Sequence, residues 1–407
     1  MKKAIMYGAG NIGRGFIGEL FSKSGYEVVF IDINAALLER LNKERSYPIK
    51  VAGSTGYRDI WVKNVRGINA ADIDAVAEEI ASADIMATAV GVNVLSKIAK
   101  PIAMGLKKRW ESGSINPLNI IICENLIDAN HYLHDLLKTE LGMEYHELLE
   151  NKVGLVEASI GRMVPVVTPE MQAENPLLVC VEEYCELPVD KDAFKGPIPE
   201  IVNLRPFSPF SFYIHRKLFM HNMGHATTAY LGFLRNYSYI WEACRDSSIK
   251  LIALRALLES SAALSKEHGV PFEELLNHAE NLLFRFGNKL LGDTVERVGK
   301  DPIRKLSVND RLVGAAKLCL KHGIKPVYIS LGIASGFMFA PESDTAAQEV
   351  SKAGRDDLIA ALKHYCGLEK DDPISTMVLG FYNILNKEGE AAFEKVIETA
   401  EGFKNAG

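Results

Sequence analysis

The chain has 407 residues with a formal net charge of -6; 48% are hydrophobic and 24% are charged. That length suits two domains with cores of their own, and the acidic balance argues against a nucleic-acid or membrane-surface binder. No stretch reads as a membrane span or secretory leader, and the six dispersed cysteines lack metal-ligand spacing, so a reduced, cytoplasmic protein is expected.

Lys3 to Tyr7 reads as a short buried strand running into Gly8-Ala9-Gly10-Asn11-Ile12-Gly13-Arg14-Gly15. A helical pattern through Phe16, Ile17, Leu20 and Phe21 follows. Strand, tight turn and helix are the setting in which GxGxxG holds a dinucleotide. The first glycine turns the chain, the second admits a pyrophosphate, and the third lets helix and strand pack closely. The helix N-terminus, at Asn11 and Ile12, offers free N–H groups to phosphate. The next strand, Glu27 to Asp32, ends in an acid 24 positions after Gly8. Such an acid accepts hydrogen bonds from the adenosine ribose and repels a 2′-phosphate, so NAD is the expected cofactor. The plain alternative is a glycine-rich turn without a ligand.

Residues 47–67 alternate around a turn at 53–56 and read as an inserted β-hairpin. A helical pattern at about 70–81 leads to a buried strand over 84–91, whose end at Val90 and Gly91 belongs near the cofactor in a doubly wound sheet. After a helix through 95–106 comes another apolar strand, 119–125. It closes with Glu124 and Asn125 at its carboxyl end, where open α/β sheets carry their sites. Asn125 reads equally well as a turn-forming amide. A helix near 129–141, a strand from 153 to 157 continuing through 162–165, and a strand over 177–186 complete this half. Proline-rich segments at 195–200 and 205–209 place the domain boundary near residue 200, giving domains of 1–200 and 201–407.

Beyond the boundary the pattern is helix after helix, at about 209–231, 238–268, 272–288, 307–321, 325–338, 343–351, 354–365 and 373–397. The first carries Arg216-Lys217-Leu218-Phe219-Met220-His221-Asn222-Met223-Gly224-His225. Ser208 followed by Pro209 reads as its N-cap and first turn, and Gly232 as its stop. At 3.6 residues per turn Asn222 and His225 are neighbours, with Lys217 roughly 80° around the axis from His225. A lysine among apolar side chains loses solvation, which favours its neutral, proton-accepting form. An amide and an imidazole beside it can orient it and hold a substrate oxygen. The same pattern fits a snorkelling lysine and two satisfied polar residues on a buried helix. Further on, Arg297, Lys300, Arg304, Lys305 and Arg311 place five cations within fifteen positions. They make either a solvated charged loop or a site for an anion.

Three separated motifs agree with one family. The glycine-rich start through Gly18, the strand Asn-Ile-Ile-Ile-Cys-Glu-Asn ending at Asn125, and the Lys-x4-Asn-x2-His pattern of Lys217, Asn222 and His225 resemble the polyol-specific long-chain dehydrogenases. The segment from Arg297 to Ser307 is similar to the basic segment of a member that acts on a polyol phosphate. The resemblance spans nearly the whole chain. It implies an α/β protein: an N-terminal Rossmann-type doubly wound sheet, an all-helical C-terminal domain, an active site in the cleft between them and no catalytic metal. The implied reaction interconverts a sugar-alcohol phosphate and a keto-sugar phosphate with NAD. By motif, Lys217 is the general base, Asn125 and Asn222 are amides on the reacting oxygen, and His225 orients or binds the substrate. Arg297 and Lys305 match the family's basic substrate-binding pair, and Arg304 is the next candidate.

The implied partner is a small sugar alcohol, with neither nucleic acid nor membrane, in a monomer or small homo-oligomer. Dehydrogenases of free polyols and hexuronates share the motifs, and a non-catalytic NAD or sugar-phosphate binder is the alternative from another class. One departure bears on the substrate. Where the family carries aspartate before an Arg-Ile-Val-Pro segment, this chain has Gly161 before Arg162, and an upstream acid, usually aspartate, is Glu157.

Overall fold

The computed structural model describes residues 1–165, 167–388 and 392–405. It divides into two units, Met1–Ser211 and Phe212–Gly407. In the first, β-branched and aliphatic runs form strands β1 (Lys3–Tyr7), β2 (Glu27–Asp32), β3 (Ser46–Ala52), β4 (Tyr57–Lys63), β5 (Val65–Asn69), β6 (Ile85–Thr88), β7 (Leu118–Ile122) and β8 (Val153–Glu157). Six of these make one sheet in the order β5-β2-β1-β6-β7-β8, parallel throughout. The strand order reverses between β1 and β6, the crevice where doubly wound sheets hold ligands.

Why the central strands are apolar at nearly every position follows from the two cores. Ala4, Met6, Val28, Phe30 and Ala87 face one, while Ile5, Tyr7, Val29, Ile31 and Met86 face the other. Side chains alternate across a strand, so a sheet covered on both faces needs an unbroken apolar run. The expected hairpin forms: β3 and β4 pair antiparallel from Ser46↔Lys63 to Ala52↔Tyr57. Strand β9 (Val179–Glu182) adds to β3 in parallel. The hairpin ends sooner than its alternation suggests, because residues 65–69 turn away to become β5 in the main sheet.

Residues 162–165 do not extend a strand. The Met163 amide is taken by the Glu182 carboxylate, and the Met163 carbonyl by the Glu182 amide at 3.1 Å, so a side chain stands where a ladder partner would. The expected strand over 177–186 stops at Glu182, and β10 (Leu187–Asp190) then pairs in parallel with β11 (Leu204–Phe207). The unit therefore runs past the proline-rich segment to Ser211, rather than ending near 200.

The second unit is helical. Its first helix starts at Ser211, not Pro209, and the Ser208 hydroxyl donates to the Asp192 carboxylate. An α-helical stretch Ser211–Arg216, a π-helical turn Lys217–Asn222 and an α-helical stretch Met223–Leu234 follow without a break. Ser247–His268, Phe272–Phe286, Val295–Gly299, Val313–Lys321, Val327–Gly336, Thr345–Ala361, Pro373–Glu388 and Ala392–Asn405 are among the later helices. The separate helices expected over 343–351 and 354–365 form one run, kinked at Asp357 (φ -156°, ψ 98°) and finished by a π turn Leu362–Cys366.

Pro326, at the head of Val327–Gly336, has no side-chain acceptor for the first helical amides. Glu259 supplies one from another helix: its carboxylate accepts from Tyr328 N at 3.0 Å and Ile329 N at 3.1 Å. Burial pushes the Glu259 carboxyl up to about 8, against the pull of those amides. All six cysteines are thiols rather than disulfides, and all but Cys185 are buried. No helix among the described residues is long and apolar enough to cross a membrane.

Candidate active site

In the first unit the glycine turn is built for close approach. Gly8 has φ 101°, its N–H donates to Ile31 O at 2.8 Å, and a Cβ there would meet the Ala89 carbonyl oxygen at 2.4 Å. A Cβ on Gly13 would stand 2.0 Å from Gly8 O, whereas one on Gly10 would meet nothing within 4 Å. The first and third glycines thus serve packing, and the second keeps a side of the turn open, as a pyrophosphate requires. Asn11 and Ile12 open the helix beside it, which passes through a π turn at Gly13–Ile17. Arg14 folds inward and braces the turn, Nε donating to Ala9 O at 2.7 Å.

The Asp32 carboxylate accepts from Ala9 N at 2.7 Å through Oδ2 and from Asn34 N at 3.0 Å through Oδ1. Each oxygen keeps a lone pair for a ribose hydroxyl. Gly8, Gly10, Asp32, Ile33, Val90 and Lys97 line a cleft of about 600 Å³ at this edge. The sequence pattern does not reveal that Asp32 also holds the glycine turn. Val90 lines the cleft, but the Val90 and Gly91 amides are both taken by the Glu124 carboxylate at 2.8 Å. They are not donors to a ligand.

Asn125 is exposed just beyond the carboxyl end of β7. Glu157 ends β8, where its Oε1 accepts from Ala129 N at 3.0 Å and burial raises its carboxyl. At Gly161 a Cβ would lie 3.3 Å from the Tyr184 ring, so an aromatic side chain crowds the place of the family's aspartate. Arg162 points inward to the buried Glu19 at 2.5 Å and to Gly15 O at 2.9 Å, holding the dinucleotide helix rather than facing a ligand.

In the second unit the lysine helix is partly exposed over residues 213–218 and largely buried beyond them. From Phe219 to Gly232 only Asn222 and His225 keep partial exposure, and Lys217 is half-buried just before them. The π turn changes the angles expected of an ideal α-helix. Five α-helical residues would set Lys217 and Asn222 roughly 140° apart; i→i+5 bonding widens the turn and brings them onto one side of the helix.

His225 lies flat on Phe286, with ring centroids 4.5 Å apart and planes 8° apart. Its Nε2 is buried and makes no hydrogen bond among the described residues; Asp293 Oδ2 stands 3.6 Å away. Burial pushes the imidazole down to about 3, assisted by Arg297, Lys305, Arg285 and Arg311, so it is neutral. His221 and His278 are held low by burial and by Arg285 as well. Arg285 is buried and escaped the sequence pattern, since a single arginine on an amphipathic helix carries no motif.

The basic segment is largely paired within itself. Arg297 donates to Asp293, Arg304 to Asp301 at 2.7 Å, and Arg311 to Asp310 at 2.6 Å. Lys305 is 6% exposed and donates to the carbonyls of Val298, at 2.7 Å, and Lys300. Burial pushes its ammonium down to about 7, with Arg311 and Arg304 adding to the effect. Arg297 and Arg304 are exposed, unlike Lys305 and Arg311.

The mannitol dehydrogenase Rossmann domain matches residues 2–203, and the mannitol dehydrogenase C-terminal domain matches residues 210–385. The mannitol-1-phosphate 5-dehydrogenase of Thermoanaerobacter pseudethanolicus is 39% identical over 91% of this chain and 92% of its own. That of Caldanaerobacter subterraneus subsp. tengcongensis is 40% identical over 85% of this chain and 89% of its own. Among solved structures, D-sorbitol dehydrogenase in substrate-free form superimposes with a TM-score of 0.81 at 16% identity, covering 96% of this chain and 95% of that one.

Proposed function

This chain belongs to the mannitol dehydrogenase family, and we propose that it is an NAD-dependent enzyme interconverting mannitol 1-phosphate and fructose 6-phosphate. The observation that carries the reading is a polar line: Asn222 and His225 alone keep partial exposure between Phe219 and Gly232, and Lys217 is half-buried just before them. A buried helix retains such a line when those groups meet something other than the core. The substrate follows the two relatives named mannitol-1-phosphate 5-dehydrogenase, which align over most of this chain.

In this reading NAD, held at Gly8, Gly10 and Asp32, supplies the carbon that accepts hydride. Lys217 in its neutral form takes the proton of the reacting hydroxyl. Asn125 and Asn222 donate hydrogen bonds to the oxygen as it gains charge. Neutral His225, its ring held in one plane by Phe286, orients the groups beside it. Arg297, Lys305 and Arg304 favour the phosphate end, where guanidinium groups can donate two hydrogen bonds at once.

The self-pairing of Arg297, Arg304 and Arg311 with aspartates favours a second reading, oxidation of a free polyol or hexuronate. A substrate panel followed by NADH absorbance separates the two. Mannitol 1-phosphate is expected to have the highest kcat/KM with NAD. Preference for free mannitol or a hexuronate selects the second reading, and no turnover with any of them defeats both.

A further inference from the structure

The Glu124 carboxylate is a buried charge that the mechanism above does not use. It is 8% exposed, and its two oxygens accept from successive backbone amides, Oε1 from Val90 N and Oε2 from Gly91 N, each at 2.8 Å. These amides belong to the turn after β6. Within that turn the Ala89 carbonyl lies against Gly8, so the turn backs directly onto the glycine loop. Gly91 then leads into helix Val92–Glu111. On its other side Glu124 is bonded to Asn125 in the chain, and Cys123 N ties this strand end to Thr88 O at 2.9 Å. One side chain therefore joins the segment carrying Asn125 to the turn behind the dinucleotide loop.

We propose that Glu124 is a positioning residue for both halves of the chemistry on this unit. It fixes the dinucleotide turn through the Val90 and Gly91 amides, and it fixes the Asn125 amide through its own backbone. The inference rests on the dinucleotide binding and the Asn125 role proposed above. A carboxylate suits the task because it presents two acceptors, and bonds to a charged acceptor are stronger than neutral ones. Glutamine has one acceptor, and its amino group would face the second N–H, donor against donor. Aspartate keeps the charge but is one methylene short.

The experiment compares wild type, E124Q, N125A and the double variant, with E124D as the second probe of the same quantities should E124Q fail to fold. NADH affinity is read by fluorescence titration, kcat with mannitol 1-phosphate, and exchange of the Val90 and Gly91 amides by NMR. Losing one charge-assisted bond predicts that E124Q weakens NADH binding by about tenfold and lowers kcat by about tenfold. In the N125A background the kcat loss should shrink to within about twofold while the weaker NADH binding persists, because coupled residues are not additive. Both amides should exchange slowly in wild type and quickly in E124Q. Equal kcat losses in the two backgrounds, unchanged NADH affinity in E124Q, or fast exchange in wild type each overturn the proposal. A wild type that binds no NADH overturns the functional reading and this inference with it; a wild type that binds NADH beside an unaltered E124Q overturns this inference alone.

Discussion

Lys217 and Asn222 open and close a single π-helical turn, so two residues that an α-helix would point apart share one side of the helix. The turn carries two of the three motif residues, and π turns inside α-helices concentrate at functional sites. Lys217→Ala should therefore remove the proton acceptor without disturbing the buried apolar face that holds the helix. Turnover is expected to fall by about two orders of magnitude or more, the usual scale for losing a general base. NADH affinity should stay at the wild-type value, since Gly10 and Asp32 belong to the other unit. Near-normal turnover would make Lys217 a packing residue.

Asn222→Ala should act on kcat more than on KM, because an amide that stabilises developing charge matters most in the transition state. An oxyanion donor is worth roughly 2.7–4 kcal/mol, about a hundred- to a thousandfold in rate. A change confined to KM would assign the amide to ground-state binding instead.

Arg297 now offers a cleaner test of phosphate recognition than Lys305, although the sequence ranks them together. Arg297 is half-exposed beside Asp293, whereas Lys305 is buried against the Val298 and Lys300 carbonyls. Arg297→Ala is expected to raise KM for mannitol 1-phosphate by roughly ten- to a hundredfold, the worth of a charged hydrogen bond, and to leave free mannitol nearly unaffected. Lys305→Ala should lower the unfolding midpoint as well, because two buried carbonyls lose their donor. Equal KM effects of Arg297→Ala on both substrates would show that the segment does not read phosphate.

Acid should weaken the helical unit through its buried histidines. His225, His221 and His278 are neutral when folded, their pKa values lying below the ordinary 6.5, at about 3 for His225. Lowered folded values mean that the unfolded chain binds more protons between pH 6.5 and 3. Stability is then full above about 6.5 and declines as the pH falls, by about 1.4 kcal/mol per pH unit for each linked proton. Urea unfolding at pH 7, 6 and 5 measures the slope, and His221→Gln should make it shallower. An unchanged slope in that variant would remove His221 from the account.

Much of the first unit is legible in the sequence because strand, glycine turn, helix and acid lie within the first 32 residues and depend on local contacts. The misses share a different cause. Strand β5 was hidden inside a hairpin pattern, since alternation cannot say which sheet a strand joins. Residues 162–165 look like a strand, but the side chain of Glu182 takes the amide that a neighbour would have used. The lysine motif was visible as a spacing, yet its geometry was not, because a spacing has to be converted with an assumed helical pitch. Phe286, which packs onto His221 and His225, and Arg285, whose charge helps hold both imidazoles low, come from a distant helix and carry no local signal.

Asp32 carries the final prediction, and the structure alters what its replacement should do. The sequence presents it as the acid that selects NAD, so removing it should narrow the gap between the cofactors, mainly by weakening NAD binding and relieving repulsion of NADP. Its Oδ2, however, accepts from Ala9 N at 2.7 Å inside the glycine turn, and Oδ1 accepts from Asn34 N at 3.0 Å. Asp32→Ala removes the repulsion of a 2′-phosphate and, in the same stroke, leaves the Ala9 amide without its acceptor. Both cofactors need that turn, so this variant should lose NAD affinity by about tenfold or more, on the scale of a charged hydrogen bond, while gaining little for NADP. Asp32→Asn keeps one oxygen for Ala9 and sheds the charge, so it should narrow the NAD-to-NADP ratio of kcat/KM further than alanine does. The comparison is made with both cofactors at saturating polyol phosphate. If alanine proved the better route to NADP, the bond to Ala9 would be dispensable and Asp32 would act on the ribose alone.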